Sequence, residues 1–269
     1  MVPPTSRRPR LVATDLDGTV VRSDETISAR TVAALAAVEE AGSTLVFVTG
    51  RPPRWMHAVA AQTGHHGLAV CANGALVYDL HTEQVIEEDL LSADVLASVM
   101  EALRREMPEV AFGVDYGLSF AYDSRYQAHW DADRRHARLV GPDELVAEPA
   151  AKLLVQHRRL DPDTLLARAR GVAGELASFT HSGYAGLLEV SATGVSKASA
   201  LARLCQQRSI AAEDVLAFGD MPNDLPMLAW AGTAYAVANA HPDVLAAVSR
   251  HTGSNDEEGV AQVLEELFR

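Results

Sequence analysis

Short apolar runs alternate with stretches of helical period through the first third of the chain. Leu11 to Thr14 is a brief unbroken apolar run, the pattern of a strand buried on both faces. Ser28 to Ala41 places Val32, Leu35 and Val38 on one helical face, with Ser28 as a cap and Gly42 as a stop. Thr44 to Val48 predicts a second buried strand. Arg54 to Gln62 predicts a helix that follows two prolines and ends at Gly64. Leu68 to Cys71 predicts a third strand, and Ala75 to Tyr78 a fourth. Strands separated by helices imply a parallel sheet with right-handed crossovers.

The rhythm changes in the middle and then returns. Between 85 and 187, helical stretches at Ala93–Glu106 and Pro162–Ala173 stand among short alternating runs such as Ala111–Val114 and Lys152–Gln156. After that come a helix from Ser196 to Gln207 and a strand from Val215 to Phe218. A helix over Asn223–Ala231 and a strand over Tyr235–Val237 follow. Pro242–Ser249 and Gly259–Phe268 read as closing helices. The expected fold is α/β, a Rossmann-like doubly wound parallel sheet. Its core is formed by residues 1–84 and 188–269, with an α+β module inserted at 85–187 and hinges near 79–86 and 187–192.

Composition narrows the function. The chain has 269 residues, 48% of them hydrophobic, enough for one large core or two smaller ones. Its 36 acidic and 23 basic residues give a net charge of -13, which argues against non-specific nucleic-acid binding. Arg7, Arg8 and Arg10 form only a short basic tip. No apolar stretch approaches the roughly 20 residues that span a bilayer, and no signal-peptide pattern is visible. Cys71 and Cys205 lie far apart in apolar surroundings and read as small core residues of a reducing compartment, so the cytoplasm is the expected location. Monomer and homo-oligomer both remain open.

The chemistry concentrates in four polar segments. Asp15-Leu16-Asp17-Gly18-Thr19 leaves the first strand, Thr49-Gly50-Arg51 leaves the second, Ser196-Lys197 opens a helix, and Gly219-Asp220-Met221-Pro222-Asn223-Asp224 follows Val215–Phe218. Ligands of open α/β sheets bind beyond the carboxyl ends of the strands. Two acids at a buried strand end repel each other, a cost tolerated where a cation binds. A carboxylate can attack phosphorus, a second acid can protonate the leaving oxygen, and a lysine with a hard cation can neutralise the anions. Asp220, Asn223 and Asp224 stand at i, i+3 and i+4, so one turn can direct all three inward. Taken singly, each segment also reads as an ordinary turn, cap or surface helix start.

Taken together, these residues resemble the haloacid dehalogenase superfamily, in particular its Cof-type (subfamily IIB) phosphatases with a large inserted cap. Ala72-Asn73-Gly74-Ala75, Leu188-Glu189-Val190, Val237-Ala238-Asn239-Ala240 and Ser254 to Ala261 extend the match over both core halves. The resemblance implies that Asp15 is the nucleophile and forms an aspartyl-phosphate, with Asp17 as general acid/base. Thr49 would bind the transferring phosphoryl group, and Lys197 would neutralise it and orient Asp15. Asp220 would ligate Mg²⁺ with Asp15 and the backbone carbonyl of Asp17, Asp224 completing the shell. Gly18, Thr19, Gly50, Arg51, Asn73 and Asn223 are the expected phosphate and substrate contacts, while Asn239 and Asn255 brace the site. Ala198 stands where many relatives have glycine.

The implied activity is Mg²⁺-dependent hydrolysis of a small phosphorylated metabolite, a sugar phosphate first. Alternatives are a phosphotransferase or mutase, or a non-catalytic phosphate-binding protein. Within the inserted segment, Tyr122, Arg125, Tyr126, His129 and Trp130 read either as module core and surface or as a group closing over substrate. Asp131, Asp133, Arg134 and Arg135 read as a solvated stretch. His65 and His66, as loop neighbours, are not expected to converge on a metal. No G-x-x-x-x-G-K-[ST] is present, which disfavours a P-loop kinase.

Overall fold

In the computed structural model, residues 8–127, 136–184 and 186–268 are described. The first apolar runs become β1 (Leu11–Thr14), β2 (Thr44–Val48) and β3 (Leu68–Cys71), joined by α1 (Ala29–Glu40) and α2 (Pro53–Thr63). Ser28 caps α1 by accepting from the Thr31 N–H, and Gly64 ends α2 at φ 70°. A hairpin of β4 (Leu76–Asp79) and β5 (Gln84–Glu88) completes this half.

The middle of the chain holds α3 (Ala93–Glu106), β6 (Ala111–Asp115), β7 (Phe120–Tyr122), β8 (Ala137–Leu139), α4 (Pro142–Leu145), β9 (Lys152–Gln156), α5 (Pro162–Ala173), β10 (Ser178–Thr180) and β11 (Leu187–Ser191). The last part runs α6 (Lys197–Gln207), β12 (Val215–Gly219), α7 (Leu225–Trp230), β13 (Thr233–Val237), α8 (Pro242–Ala247), β14 (His251–Thr252) and α9 (Gly259–Leu267).

Two sheets result. The first has the order β14-β13-β12-β1-β2-β3-β4-β5, and the second the order β10-β11-β9-β6-β7-β8. From β14 to β3 all pairings of the first sheet are parallel, whereas β4 and β5 run antiparallel as a hairpin. The expectation of an α/β fold with a parallel-sheet core is met. Each sheet has its own apolar cluster, one around Leu11, Phe47, Phe218 and Leu264, the other around Leu96, Leu103, Phe112, Leu153 and Leu188.

Strand pairing marks the two crossings. β5 pairs within the first sheet, and β11 pairs with β9 and β10 in the second. The chain therefore leaves the first sheet after Glu88, and the last strand of the second sheet ends at Ser191, within the expected hinge near 187–192. The alternation of β5 and the apolar Leu187–Val190 run suit either sheet, so only pairing decides. Likewise, the expected helix over Asn223–Ala231 starts with a tight 3₁₀ turn at Pro222–Asp224 before α7, and Pro226 cannot donate a backbone bond. Among the described residues, no helix is long and apolar enough to cross a membrane.

The parallel register sets the site. β1 lies between β12 and β2, so the loops after these strands emerge side by side at one edge. The strand order reverses between β1 and β12, where open α/β sheets form their ligand crevice.

Candidate active site

Asp15 follows β1 directly, and its backbone N–H donates to the Phe218 carbonyl of β12 at 3.1 Å. Its side chain is buried, as are those of Asp220 and Asp224. One carboxylate oxygen from each of the three lies within 4.8 Å of the others, an arrangement able to hold a cation. Such hard oxygen donors suit Mg²⁺, Ca²⁺ or Mn²⁺.

Lys197, at the first turn of α6, reaches into this group. Its ammonium donates to Asp15 Oδ1 at 2.6 Å and to Asp224 Oδ1 at 2.7 Å. Ser196 and Ser199 fix the helix start as a reciprocal capping box, and Ala198 does not disturb it. Burial works against the lysine's charge, but Asp15 and Asp224 outweigh it and hold the ammonium well above the ordinary lysine range. The Asp15 carboxyl is pushed up to about 7, first by burial. Lys197 pulls the other way, and Asp224 and Asp17 add to the rise. Asp220 is also raised, by burial and then by Asp15 and Asp224. One lysine thus faces three buried acids, and the uncompensated negative charge fits a bound divalent cation.

The surrounding loops brace these acids. Asp224 Oδ2 accepts the backbone N–H groups of Asp220 and Met221 at 3.1 and 3.0 Å. Thr19 donates its hydroxyl to Asp220 Oδ1 at 3.2 Å. The Asn239 amide donates to the Gly18 carbonyl at 2.8 Å, and Asn255 bonds to Asn239 and to the Val21 carbonyl, the bracing expected of both. Gly18 has φ +79°, and a Cβ there would lie 2.2 Å from Asp220 Oδ2. Gly18→Ala is therefore expected to cost about 1–2 kcal/mol from the left-handed backbone alone, with the clash in addition. Chemical denaturation measures this; a loss of only about 1–2 kcal/mol would mean that Asp220 swings aside freely, and wild-type stability would mean that the turn at Gly18 relaxes as well.

The other candidates bond to nearby backbone and to one another. Thr49 is fully buried, and its hydroxyl oxygen accepts the Arg51 backbone N–H at 3.0 Å. Asn223 donates to the Asn73 side-chain oxygen at 3.1 Å, so two expected substrate contacts hold each other. Asn73 sits at φ 57° after Ala72 at φ 49°, a left-handed pair that turns the loop back under the site. Arg51 forks onto Asp17, with Nε to Oδ2 at 2.8 Å and Nη2 to Oδ1 at 2.5 Å. His65 packs against Phe47 and bonds to Glu39.

A cavity of about 510 Å³ opens over Asp15 and is lined by Asp17, Gly50, Arg51, Asp220 and Asn223. Trp55, Phe120, Tyr122, Leu154, Leu187 and Met221 add an apolar and aromatic lining. Tyr122 lines the cavity, Tyr126 is buried against Phe120, and Arg125 bonds to the Pro108 carbonyl. His129, Trp130, Asp131, Asp133, Arg134 and Arg135, like Arg7, lie outside the described residues.

Two ion pairs beside the cavity escaped the sequence reading. Arg54 of α2 donates to Asp115 of β6 at 2.8 Å, and Lys152 of β9 binds both Glu189 and, at 2.7 Å, the Gly50 carbonyl. Arg54–Asp115 ties α2 to the second sheet, and the Lys152–Gly50 bond ties the second sheet to the loop after β2. Burial acts to raise the Glu189 carboxyl, but Lys152 outweighs it and holds it below the usual range. The signal for the second pair was a lysine and a glutamate within otherwise apolar strands, Lys152–Gln156 and Leu187–Ser191.

The profile of the haloacid dehalogenase-like hydrolases matches residues 12–264. The chain belongs to that family. It is 28% identical over 274 residues to the pyridoxal phosphate phosphatase YbhA of Escherichia coli (strain K12), covering 95% of this chain and 97% of that one. It is 26% identical, over 97% of this chain and 98% of the relative, to the 5-amino-6-(5-phospho-D-ribitylamino)uracil phosphatase YitU of Bacillus subtilis (strain 168). A haloacid dehalogenase-like hydrolase from Bacteroides thetaiotaomicron superimposes with a TM-score of 0.75 at 26% identity, covering 97% of this chain and all of that one. This hydrolase is accordingly an enzyme of the phosphatase type.

Proposed function

We propose that this chain is a Mg²⁺-dependent phosphatase of small phosphorylated metabolites that works through an aspartyl-phosphate on Asp15. The observation that carries the reading is the buried Lys197 ammonium, bonded to Asp15 and Asp224 beside Asp220 at the cavity floor. Lys197 points Asp15 Oδ1 into the floor and leaves Oδ2 for attack on phosphorus. Asp17, two residues on and lining the same cavity, is the acid that protonates the leaving oxygen and later takes a proton from water. Asp15, Asp220 and the Asp17 backbone carbonyl would hold the ion, with Asp224 as their brace. Bound there, Mg²⁺ supplies positive charge to the phosphoryl oxygens during attack. Thr49, Gly50 and the nearby backbone form the expected phosphoryl cradle.

The second sheet acts as a cap that restricts access to small molecules, with Arg54–Asp115 and Lys152–Gly50 as its contacts to the core. A cavity of this size suits a small metabolite. A sugar phosphate is one candidate class. The wall of Trp55, Phe120 and Tyr122 favours a second, a phosphate ester carrying a planar ring, which such side chains stack against. Two relatives are named for ring-bearing phosphates. The free, buried Cys71 and Cys205 suit a reducing compartment and a cytoplasmic enzyme.

The test is phosphate release from a panel of sugar, nucleotide and ring-bearing cofactor phosphates, with Mg²⁺ or with EDTA. Release from one class, abolished by EDTA, is the expected result; equal release in EDTA would overturn the metal requirement. Adding a sugar acceptor and analysing products separates hydrolysis from transfer.

A further inference from the structure

Arg51 and Asp17 are the half-buried charged pair of the cavity, with side-chain exposures of 22% and 38%. Both line the same space as Asp15. The guanidinium engages both carboxylate oxygens of Asp17 through two nearly parallel bonds. This bidentate pairing is the strongest form of charge-assisted hydrogen bond between side chains, and a phosphoryl group offers the same fork an equivalent pair of oxygens. An acid/base needs a carboxylate oxygen turned towards the reacting oxygen, and in this pairing both of Asp17's are turned towards Arg51.

We infer that Arg51 exchanges partners during the reaction: it holds Asp17 aside in the free enzyme, and the arriving phosphoryl group draws it off and so releases Asp17. The inference rests on the reading of Asp17 as acid/base. In the first step an Asp15 oxygen forms a bond to phosphorus with its own electron pair and the ester P–O bond breaks. The leaving oxygen keeps that bond's electron pair and takes the proton carried by the released Asp17, which solvent supplies while the pair is open. In the second step Asp17 accepts a proton from water, the water oxygen bonds to phosphorus, and the Asp15–phosphorus bond breaks to give inorganic phosphate and the free carboxylate. With phosphate gone, Asp17 gives the proton it took from water to solvent, and Arg51 returns to the carboxylate.

Competition for one guanidinium has a signature in a double-mutant cycle that needs no turnover. Inorganic phosphate is titrated by calorimetry in Mg²⁺ buffer against wild type, Asp17→Asn, Arg51→Met and the double variant. Asp17→Asn is expected to tighten phosphate binding about tenfold, because Arg51 no longer leaves a carboxylate to meet it. In the Arg51→Met background the same change is expected to gain less than twofold. An equal gain in both backgrounds would mean simple relief of repulsion, and no gain in either would mean that Arg51 never reaches phosphate. Either result overturns the exchange.

A kinetic arm tests the underlying reading separately. In rapid-mixing measurements of the ester-cleavage step, Asp17→Asn should slow an alkyl phosphate about 10²-fold or more while sparing the burst of p-nitrophenol, whose departure needs no proton; steady-state turnover of both should fall, because Asp17 also takes the proton from water. Equal slowing of the cleavage step for both esters would remove Asp17 as acid whatever the cycle shows. Arg51→Met should raise KM for both esters and lower kcat for both by a similar factor. A selective fall in alkyl-ester kcat would instead make Arg51 a permanent orienter of Asp17.

Discussion

Asp15→Asn is expected to reduce phosphate release by about 10⁴-fold or more, the scale on which loss of a covalent nucleophile is felt. The amide keeps the shape of the carboxylate but has no charge with which to attack phosphorus. The fold should be indifferent or better off. Asp15 is buried and sits beside Asp220 and Asp224, and that environment already pushes its carboxyl up to about 7. A neutral group removes this repulsion, and Lys197 keeps Asp224 as its partner. Thermal unfolding in EDTA should therefore place the variant at or above wild type. Turnover retained in this variant would remove Asp15 as nucleophile. Loss of activity with a collapsed unfolding temperature would trace the effect to folding.

Lys197→Met is expected to have the largest effect on stability. The methionine fills most of the volume, but it leaves Asp15, Asp220 and Asp224 buried with no countercharge from the protein. Breaking a buried ion pair by removing one partner costs about 3–5 kcal/mol. Sign and remedy both follow from charge. Without a divalent ion the variant should unfold at markedly lower denaturant than wild type. Added Mg²⁺ should stabilise the variant more than it stabilises wild type, because the ion then supplies the only positive charge at the floor. Denaturant unfolding of both proteins with and without Mg²⁺ checks this, and an equal Mg²⁺ gain would mean that Lys197 and the ion do not share the same carboxylates. Turnover should fall steeply in either case, since Asp15 loses the bond that aims it.

The residues at the site's floor were legible because strand ends announce them. An apolar run that stops at Asp15, at Thr49 or at Gly219-Asp220 marks a strand's exit, and parallel strands bring their exits to one edge. What each side chain does at that edge was less legible. Thr19 turns to Asp220, Asn73 and Asn223 turn to each other, and Arg51 turns to Asp17. Each is a choice among several polar partners within reach, and no spacing along the chain expresses it. Arg54–Asp115 and Lys152–Glu189 were hidden for the related reason that their members lie 61 and 37 residues apart.

Most of the first sheet, β1 to β4, β12 and β13 with α1, α2, α6 and α9, is written in the residues themselves, because buried strands need unbroken apolar runs and helices need caps and an apolar face. The sequence by itself determined the chemical content of the site as well, since Asp15, Asp17, Lys197, Asp220 and Asp224 all fall at such element ends. Only the tertiary structure decided where the second sheet begins and ends, because Gln84–Glu88 and Leu187–Ser191 carry patterns that either sheet could accept and strand pairing made the choice. It alone also decided the wall of the cavity and the partner of Arg51. Those depend on side chains brought together across two sheets, and the hydrogen bonds that fix them form between groups that are neighbours only after the chain has folded.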